Sequence, residues 1–131
     1  MSNIRIRTAT AGIVSVLALA SVGASPALAK DGDVVRRGAC TGSSDWKLKL
    51  GPRGGRIETE FEVDSNRVGQ VWSVRISDNG STVFTGSRTT LAPSGSFTVR
   101  TVIPNLAGRD SVVATATNRA TGERCVGRAA V

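Results

Sequence analysis

The stretch Arg56-Ile57-Glu58-Thr59-Glu60-Phe61-Glu62-Val63 indicates the fold class of this chain. Its side chains alternate strictly, so that one face of an extended strand would carry Ile57, Thr59, Phe61 and Val63. The opposite face would carry the three glutamates, which a helix would instead scatter around its circumference. The pattern therefore predicts a β-strand with one face buried and the other face in water.

Residues 46–50 alternate in the same way and predict a neighbouring antiparallel strand, joined to the first by the link 51–55. We expect apolar residues to face one another, with Leu50 opposite Ile57, Leu48 opposite Thr59 and Trp46 opposite Phe61. The same register places Lys49 opposite Glu58 and Lys47 opposite Glu60. These charges then form cross-strand pairs on a wet sheet face, an interpretation that we prefer to a catalytic role.

Short strands separated by turn signals continue to the end of the chain, and no stretch after residue 29 shows sustained helical periodicity. Asn79-Gly80 predicts a two-residue type I′ hairpin, because both residues readily adopt positive φ angles. Val83 and Phe84 are neighbours and cannot both face the core, which leaves the register of that strand open. Trp72 is expected on an inner face. The strands together predict an antiparallel β-sandwich of about seven to eight strands.

The first 29 residues have the pattern of a cleaved secretory signal peptide. A basic start with Arg5 and Arg7 precedes an apolar run, and small residues lead up to the cleavage position. The apolar run is too short, and too rich in small residues, to span a membrane. A buried core helix is the weaker alternative. We therefore expect removal of residues 1–29, and we expect residues 30–131 to form a single secreted, extracellular domain with no membrane span.

The charge balance of the mature domain is basic. The chain carries 17 Lys and Arg against 10 Asp and Glu, and two of the basic residues lie in the predicted signal peptide, which leaves 15 against 10. This excess favours anionic partners through attraction that salt weakens. Solubility alone explains the same excess, and we prefer this interpretation to a role in binding.

Cys40 and Cys125 are the only cysteines in the chain. An even number in a small exported domain predicts a disulfide, which here would join the first strand to the last. For a closed loop of roughly 85 residues, chain entropy gives a stabilisation of about 4–5 kcal/mol. A metal site would need more ligands, and the chain contains no histidine.

Three segments in the second half of the chain follow a recognisable order. They are the strand Ser94-Gly95-Ser96-Phe97-Thr98-Val99, the corner Leu106-Ala107-Gly108, and the strand Val113-Ala114-Thr115-Ala116-Thr117 before a turn at Gly122. This order resembles the closing strands of bacterial immunoglobulin-like domains, and the whole chain resembles small exported proteins of high-GC Gram-positive bacteria. The resemblance implies an immunoglobulin-like sandwich of a kind that binds or spaces other molecules, without fixing which ones.

The residue types exclude most catalytic constellations. The chain has no histidine and no tyrosine, so Ser-His-Asp and Cys-His sites are ruled out. Alternate glutamates on one strand lie roughly 6–7 Å apart, but glycosidase carboxylates also need a cleft and unequal pKa values. The inner positions expected for both tryptophans argue against nucleic-acid binding. We expect no enzyme activity, no metal site and no cofactor.

Two hypotheses of function remain. In the first, the protein is a secreted, non-catalytic binding module that acts on an anionic polymer of the cell envelope or on a secreted protein. Its contacts would come from loops at one end of the sandwich. The candidate contact residues in these loops are Arg53, Arg67, Arg109 and Arg119. In the alternative, the protein is a secreted enzyme inhibitor whose loop at 91–94 or at 104–106 occupies a protease cleft.

Overall fold

Eight strands form two four-stranded antiparallel sheets in this computed structural model, which describes residues 32–131. In chain order the strands are β1 (Val34–Ala39), β2 (Asp45–Arg53), β3 (Arg56–Asp64), β4 (Val71–Asp78), β5 (Ser81–Thr89), β6 (Ser96–Pro104), β7 (Ser111–Asn118) and β8 (Arg124–Ala130). The first sheet has the order β1-β2-β3-β6 and the second has the order β5-β4-β7-β8. The prediction of an all-β antiparallel sandwich with seven to eight strands is confirmed. The predicted signal peptide, residues 1–29, lies outside the described residues.

The core lies between the inner faces of the two sheets. Leu48, Phe61 and Val99 contribute fully buried side chains from the first sheet, and Trp72 and Ile76 contribute them from the second. Each such apolar side chain contributes about 1.5–3 kcal/mol relative to an exposed one. Because successive side chains of a strand point to opposite faces, the buried positions fix what every intervening position presents to solvent.

The register of β2 against β3 differs from the prediction by two residues. Leu48 pairs with Phe61 and Leu50 with Thr59, while Lys49 lies opposite Glu60 and Lys47 opposite Glu62. The difference arises because β2 continues through residues 51–53, so that only Gly54 and Gly55 remain in the turn. A shift of two residues keeps every side chain on its expected face, which explains why the face assignment is correct although the pairs are not.

Trp46 lies on the expected inner face of β2, and it is only half-buried because it packs at the edge between the sheets. A Cβ atom added to Gly38 of β1 would lie 2.7 Å from its indole ring, and one added to Gly127 of β8 would lie 2.9 Å away. Real Cβ atoms do not approach so closely. Both glycines therefore make room for the tryptophan, which bridges the edge strands of the two sheets.

The predicted disulfide between Cys40 and Cys125 is confirmed, with an S–S distance of 2.05 Å. It joins the end of β1 to β8 and so links the two sheets, and the same edge is reinforced by a hydrogen bond from Thr41 N to Arg124 O (2.9 Å).

We call this end of the sandwich the disulfide end. It carries the connections 40–44, 65–70, 90–95 and 119–123, and the opposite hairpin end carries 54–55, 79–80 and 105–110.

The hairpin between β4 and β5 has the predicted two-residue turn. Asn79 and Gly80 both have positive φ angles, 47° and 84°. A β-bulge lies between Ile76 and Ser77, where the register shifts and Val83 is left without a direct partner. The bulge resolves the open register, because it allows Val83 and its neighbour Phe84 both to pack against the core.

The loop before β6 is locked against the loop before β4 through Gly95. This residue has a φ of +73°, and its carbonyl oxygen accepts a hydrogen bond from Ser65 N at 3.0 Å. A Cβ atom at this position would collide with the backbone nitrogen of Arg67. Only glycine satisfies both the positive φ angle and the close approach of the two backbones.

We expect Gly95→Ala to destabilise the domain more than the matched variant Gly108→Ala. Gly108 also has a positive φ, +81°, but no atom within 4 Å of an added Cβ. The control should lose about 1–2 kcal/mol from backbone strain, and Gly95→Ala should lose about 1–3 kcal/mol more from the collision. Urea unfolding followed by the fluorescence of the buried Trp72 measures both losses. Equal losses would contradict the locked loop.

Candidate binding face

The outer face of the first sheet carries charges of both signs. Its glutamates on β3 lie beside Lys47 and Lys49 of β2 and beside Arg100 of β6. Arg100 Nε donates to Glu60 Oε1 at 2.8 Å, and this hydrogen bond lowers the pKa of Glu60. A carboxyl group with a lowered pKa is a poor proton donor at neutral pH, so Glu60 is suited to ion pairing and not to general acid catalysis.

The outer face of the second sheet has a different composition. Among the described residues, none of its outward-facing strand positions carries Asp or Glu, and most carry a hydroxyl group or an arginine. The polar members of this set are Ser73, Arg75, Ser77, Thr82, Thr85, Ser87, Thr89, Ser111, Thr115, Thr117, Arg124 and Arg128. We call this surface the hydroxyl face. It holds positive charge that no neighbouring carboxylate offsets.

A groove runs along the hydroxyl face beside Arg119. The side chain of Arg119 folds back from the β7–β8 turn, where its Nε donates to Ser73 Oγ at 2.9 Å and its Nη2 donates to Ser87 Oγ. Arg75 lies on the same face, with its Nε donating to Thr82 Oγ1 at 2.9 Å. We call this space of about 420 Å³ the arginine groove. Its walls also carry the hydroxyl groups of Thr85, Thr115 and Thr117.

The four arginines selected from the sequence do not lie together. Arg53 and Arg109 lie at the hairpin end, where Asn105 N donates to Gly55 O at 2.9 Å and ties the two connections. Arg67 and Arg119 lie at the disulfide end. The expectation that all four share one end is wrong, because successive strands of an antiparallel sandwich place their connections alternately at opposite ends.

The four arginines also differ in their surroundings. Arg53 is held by Asp33, with 2.7 Å between Nη1 and Oδ1, and lies 3.7 Å from Glu58, so its charge is already neutralised within the domain. Arg67 lines a polar cleft of about 400 Å³ at the disulfide end. In that cleft the carboxylate of Glu123 accepts hydrogen bonds from Ser44 N (3.0 Å) and Ser44 Oγ (2.7 Å), which gives it a structural role. Of the four, Arg119 belongs to the arginine groove.

Sequence reasoning missed Arg75, Arg124 and Arg128. Each occupies an outward-facing position of a strand whose alternate side chains are buried. The sequence signal was the absence of acidic residues from the outward-facing positions of β4, β5, β7 and β8. That signal gains meaning only when the four strands are known to form one sheet.

A buried pair of carboxyl groups was also missed. Asp78, at the end of β4, is 3% exposed and Asp110, just before β7, is fully buried. Asp78 Oδ1 and Asp110 Oδ2 are both buried without a hydrogen-bond partner. Burial first, and then the hydrogen bond and the charge of Asp110, raise the pKa of Asp78 to about 6. A proton shared between the two groups would satisfy both oxygens. Since both groups lie inside the fold, we assign the pair to structure.

We expect the pair to make the domain less stable as the pH rises. Asp78 holds its proton up to a pKa of about 6 in the folded state, against a pKa of 3.8 for an isolated aspartate side chain. The contribution of Asp78 to the free energy of unfolding is therefore complete below its unfolded-state pKa and is lost as the pH rises through its folded-state pKa. The total loss is up to about 3 kcal/mol. Asp78→Asn supplies an N–H donor that does not titrate, so its free energy of unfolding should not fall across this range.

The measurement is urea unfolding between about pH 4 and pH 8 for the wild type, Asp78→Asn and the control Asp45→Asn, whose side chain is exposed. The lowered pKa of Glu60 acts in the opposite direction and at lower pH, and it is common to all three proteins. The control should follow the wild type. Parallel curves for wild type and Asp78→Asn would rule out the shared proton.

No protein-family model matches this chain, and a search of curated proteins finds no match. Within residues 32–131, no three His, Cys, Asp or Glu side chains are grouped as metal ligands would be. The same part of the chain contains no helix with the length and apolar character needed to cross a membrane.

Proposed function

We propose that the chain is a secreted, non-catalytic binding module that binds an anionic polymer of the cell envelope through the hydroxyl face. The observation that carries this proposal is the separation of charge between the two outer faces. Positive and negative side chains alternate on the first sheet, whereas the second presents Arg75, Arg119, Arg124 and Arg128 with no carboxylate among its outward strand positions in the described chain. Such a one-sided field attracts polyanions.

The shape of the hydroxyl face suits a long ligand. Its four strands form a continuous surface, and Arg124 and Arg128 are four residues apart on β8, roughly 13 Å along the strand. Hydroxyl groups between the arginines can donate hydrogen bonds to the same ligand. A polymer with repeated negative charges can therefore contact several arginines at once, and its affinity grows with the number of contacts.

Secretion and the absence of catalysis have separate support. The disulfide between Cys40 and Cys125 is typical of an oxidising compartment, which agrees with the predicted signal peptide. Glu58 and Glu60 lie within 4 Å of arginine side chains, and Asp78, whose pKa is raised, is buried. The resemblance to bacterial immunoglobulin-like domains adds a fold that commonly binds other molecules.

The proposal predicts salt-sensitive binding that depends on one face only. The mature protein should sediment with isolated Gram-positive cell walls at about 50 mM salt and stay in solution at about 500 mM, because the Debye length falls roughly threefold. Arg124→Gln/Arg128→Gln should reduce the bound fraction at low salt about fivefold or more. The control Lys47→Gln/Lys49→Gln removes the same charge from the other sheet and should bind like the wild type. Equal losses in both variants, or no wall binding at low salt, would overturn the proposal.

A second candidate function, enzyme inhibition, is favoured by the loop between β5 and β6. Leu91 is 63% exposed there, and the lock at Gly95 holds the loop against its neighbour. A rigid loop with an exposed apolar side chain can enter a protease cleft at low entropic cost. An inhibitor complex would be one-to-one, would persist at about 500 mM salt and would be weakened by Leu91→Ala but not by Arg124→Gln/Arg128→Gln.

A further inference from the structure

The arginine groove contains a guanidinium group that is already fixed in place. Arg119 donates from Nε to Ser73 Oγ on β4 and from Nη2 to Ser87 Oγ on β5. The guanidinium group is therefore bonded to two neighbouring strands. Its Nη1 forms no hydrogen bond within residues 32–131. A side chain held in this way loses little conformational entropy when it binds a ligand.

The two serines that hold Arg119 extend its donor set. Each accepts a hydrogen bond from the guanidinium group and keeps its own O–H, which can donate towards the groove. Arg75 lies two residues from Ser73 on the same face of β4, roughly 6–7 Å along the strand. Its Nε is bonded to Thr82, while its Nη groups have no hydrogen-bond partner in the described part of the chain.

The lining of the groove therefore favours an acceptor-rich ligand. The lining consists of two arginines, residues with hydroxyl groups and small apolar residues. Within the described structure it contains no Asp, Glu, Asn or Gln side chain. Both lysines of the described residues lie on the other sheet. Guanidinium groups form paired, planar hydrogen bonds with phosphate, which the point charge of lysine does not form.

The hydroxyl face also indicates what accompanies the phosphate groups. No aromatic side chain occupies an outward position of β4, β5, β7 or β8 in the described residues, since Trp72 is buried and Phe84 packs against the core. Nucleobases bound to single-strand proteins usually stack on aromatic side chains. The surface therefore suits a polymer whose phosphate groups are not joined to bases.

We propose that the arginine groove is a phosphate subsite, so that the ligand of the hydroxyl face is a base-free phosphate polymer and not a polycarboxylate. This inference rests on the proposed function, in which the hydroxyl face binds an anionic polymer. It adds that binding depends on the geometry of two guanidinium groups as well as on their charge. Substitution of arginine by lysine therefore separates the two contributions.

The experiment measures dissociation constants for inorganic polyphosphate and polyglutamate of matched chain length, and for single-stranded DNA, at one low salt concentration. The wild type should bind polyphosphate about tenfold or more tightly than polyglutamate. Arg75→Lys/Arg119→Lys keeps the charge and should bring the two affinities to within about threefold. The matched control Arg88→Lys/Arg100→Lys, which alters arginines outside the hydroxyl face, should keep the wild-type preference.

Failure of the subsite and failure of the proposed function give different results. Binding of polyphosphate and polyglutamate with equal affinity overturns the phosphate subsite and leaves the binding module standing. A phosphate preference that survives Arg75→Lys/Arg119→Lys overturns its placement in the arginine groove. Tighter binding of single-stranded DNA than of polyphosphate overturns the base-free ligand. Absence of binding to all three polyanions overturns both proposals.

Discussion

Strands β3, β4, β7 and β8 bury every second side chain against the opposite sheet and leave the remaining positions on the outer faces. The inner positions are occupied by residues such as Phe61, Trp72 and Val99, and their burial leaves the outer positions free to vary. The two outer faces differ in composition. One carries paired charges that neutralise each other, and the other carries arginines among hydroxyl groups. The binding property proposed for the chain follows from this separation and not from any single residue.

The alternation of side chains allowed the sequence to predict which residues face inward, but it did not determine which residues pair. Leu48 lies opposite Phe61 because β2 runs on to the glycine turn, and the two-residue error in the predicted register left every face unchanged. The hairpin at Asn79-Gly80 and the disulfide were predictable for a related reason, since each depends on local backbone preference or on residue type. Local chemistry was therefore a reliable guide to local structure.

The candidate site was harder to predict because it depends on strand order. Arg75 and Arg119 are 44 positions apart in sequence, and both line the arginine groove because β4 and β7 are neighbours in one sheet. For the same reason the four loop arginines chosen from the sequence were wrongly grouped at one end. Asp78 and Asp110 likewise form a pair only through tertiary structure. No periodicity within a single strand reports such contacts.

The disulfide has a mechanical consequence for the polymer binding proposed above. Cys40 and Cys125 lie near the two ends of the described domain, so tension applied to residues 32 and 131 passes through the covalent sulfur–sulfur bond. The outermost strand segments can peel away, but the residues between the cysteines carry no load. The part of the hydroxyl face on β4, β5 and β7 lies within this shielded stretch, whereas Arg128 on β8 lies outside it. The arginine groove, which lies in this part, would thereby keep its geometry under a pulling force that would unravel an uncrosslinked sandwich.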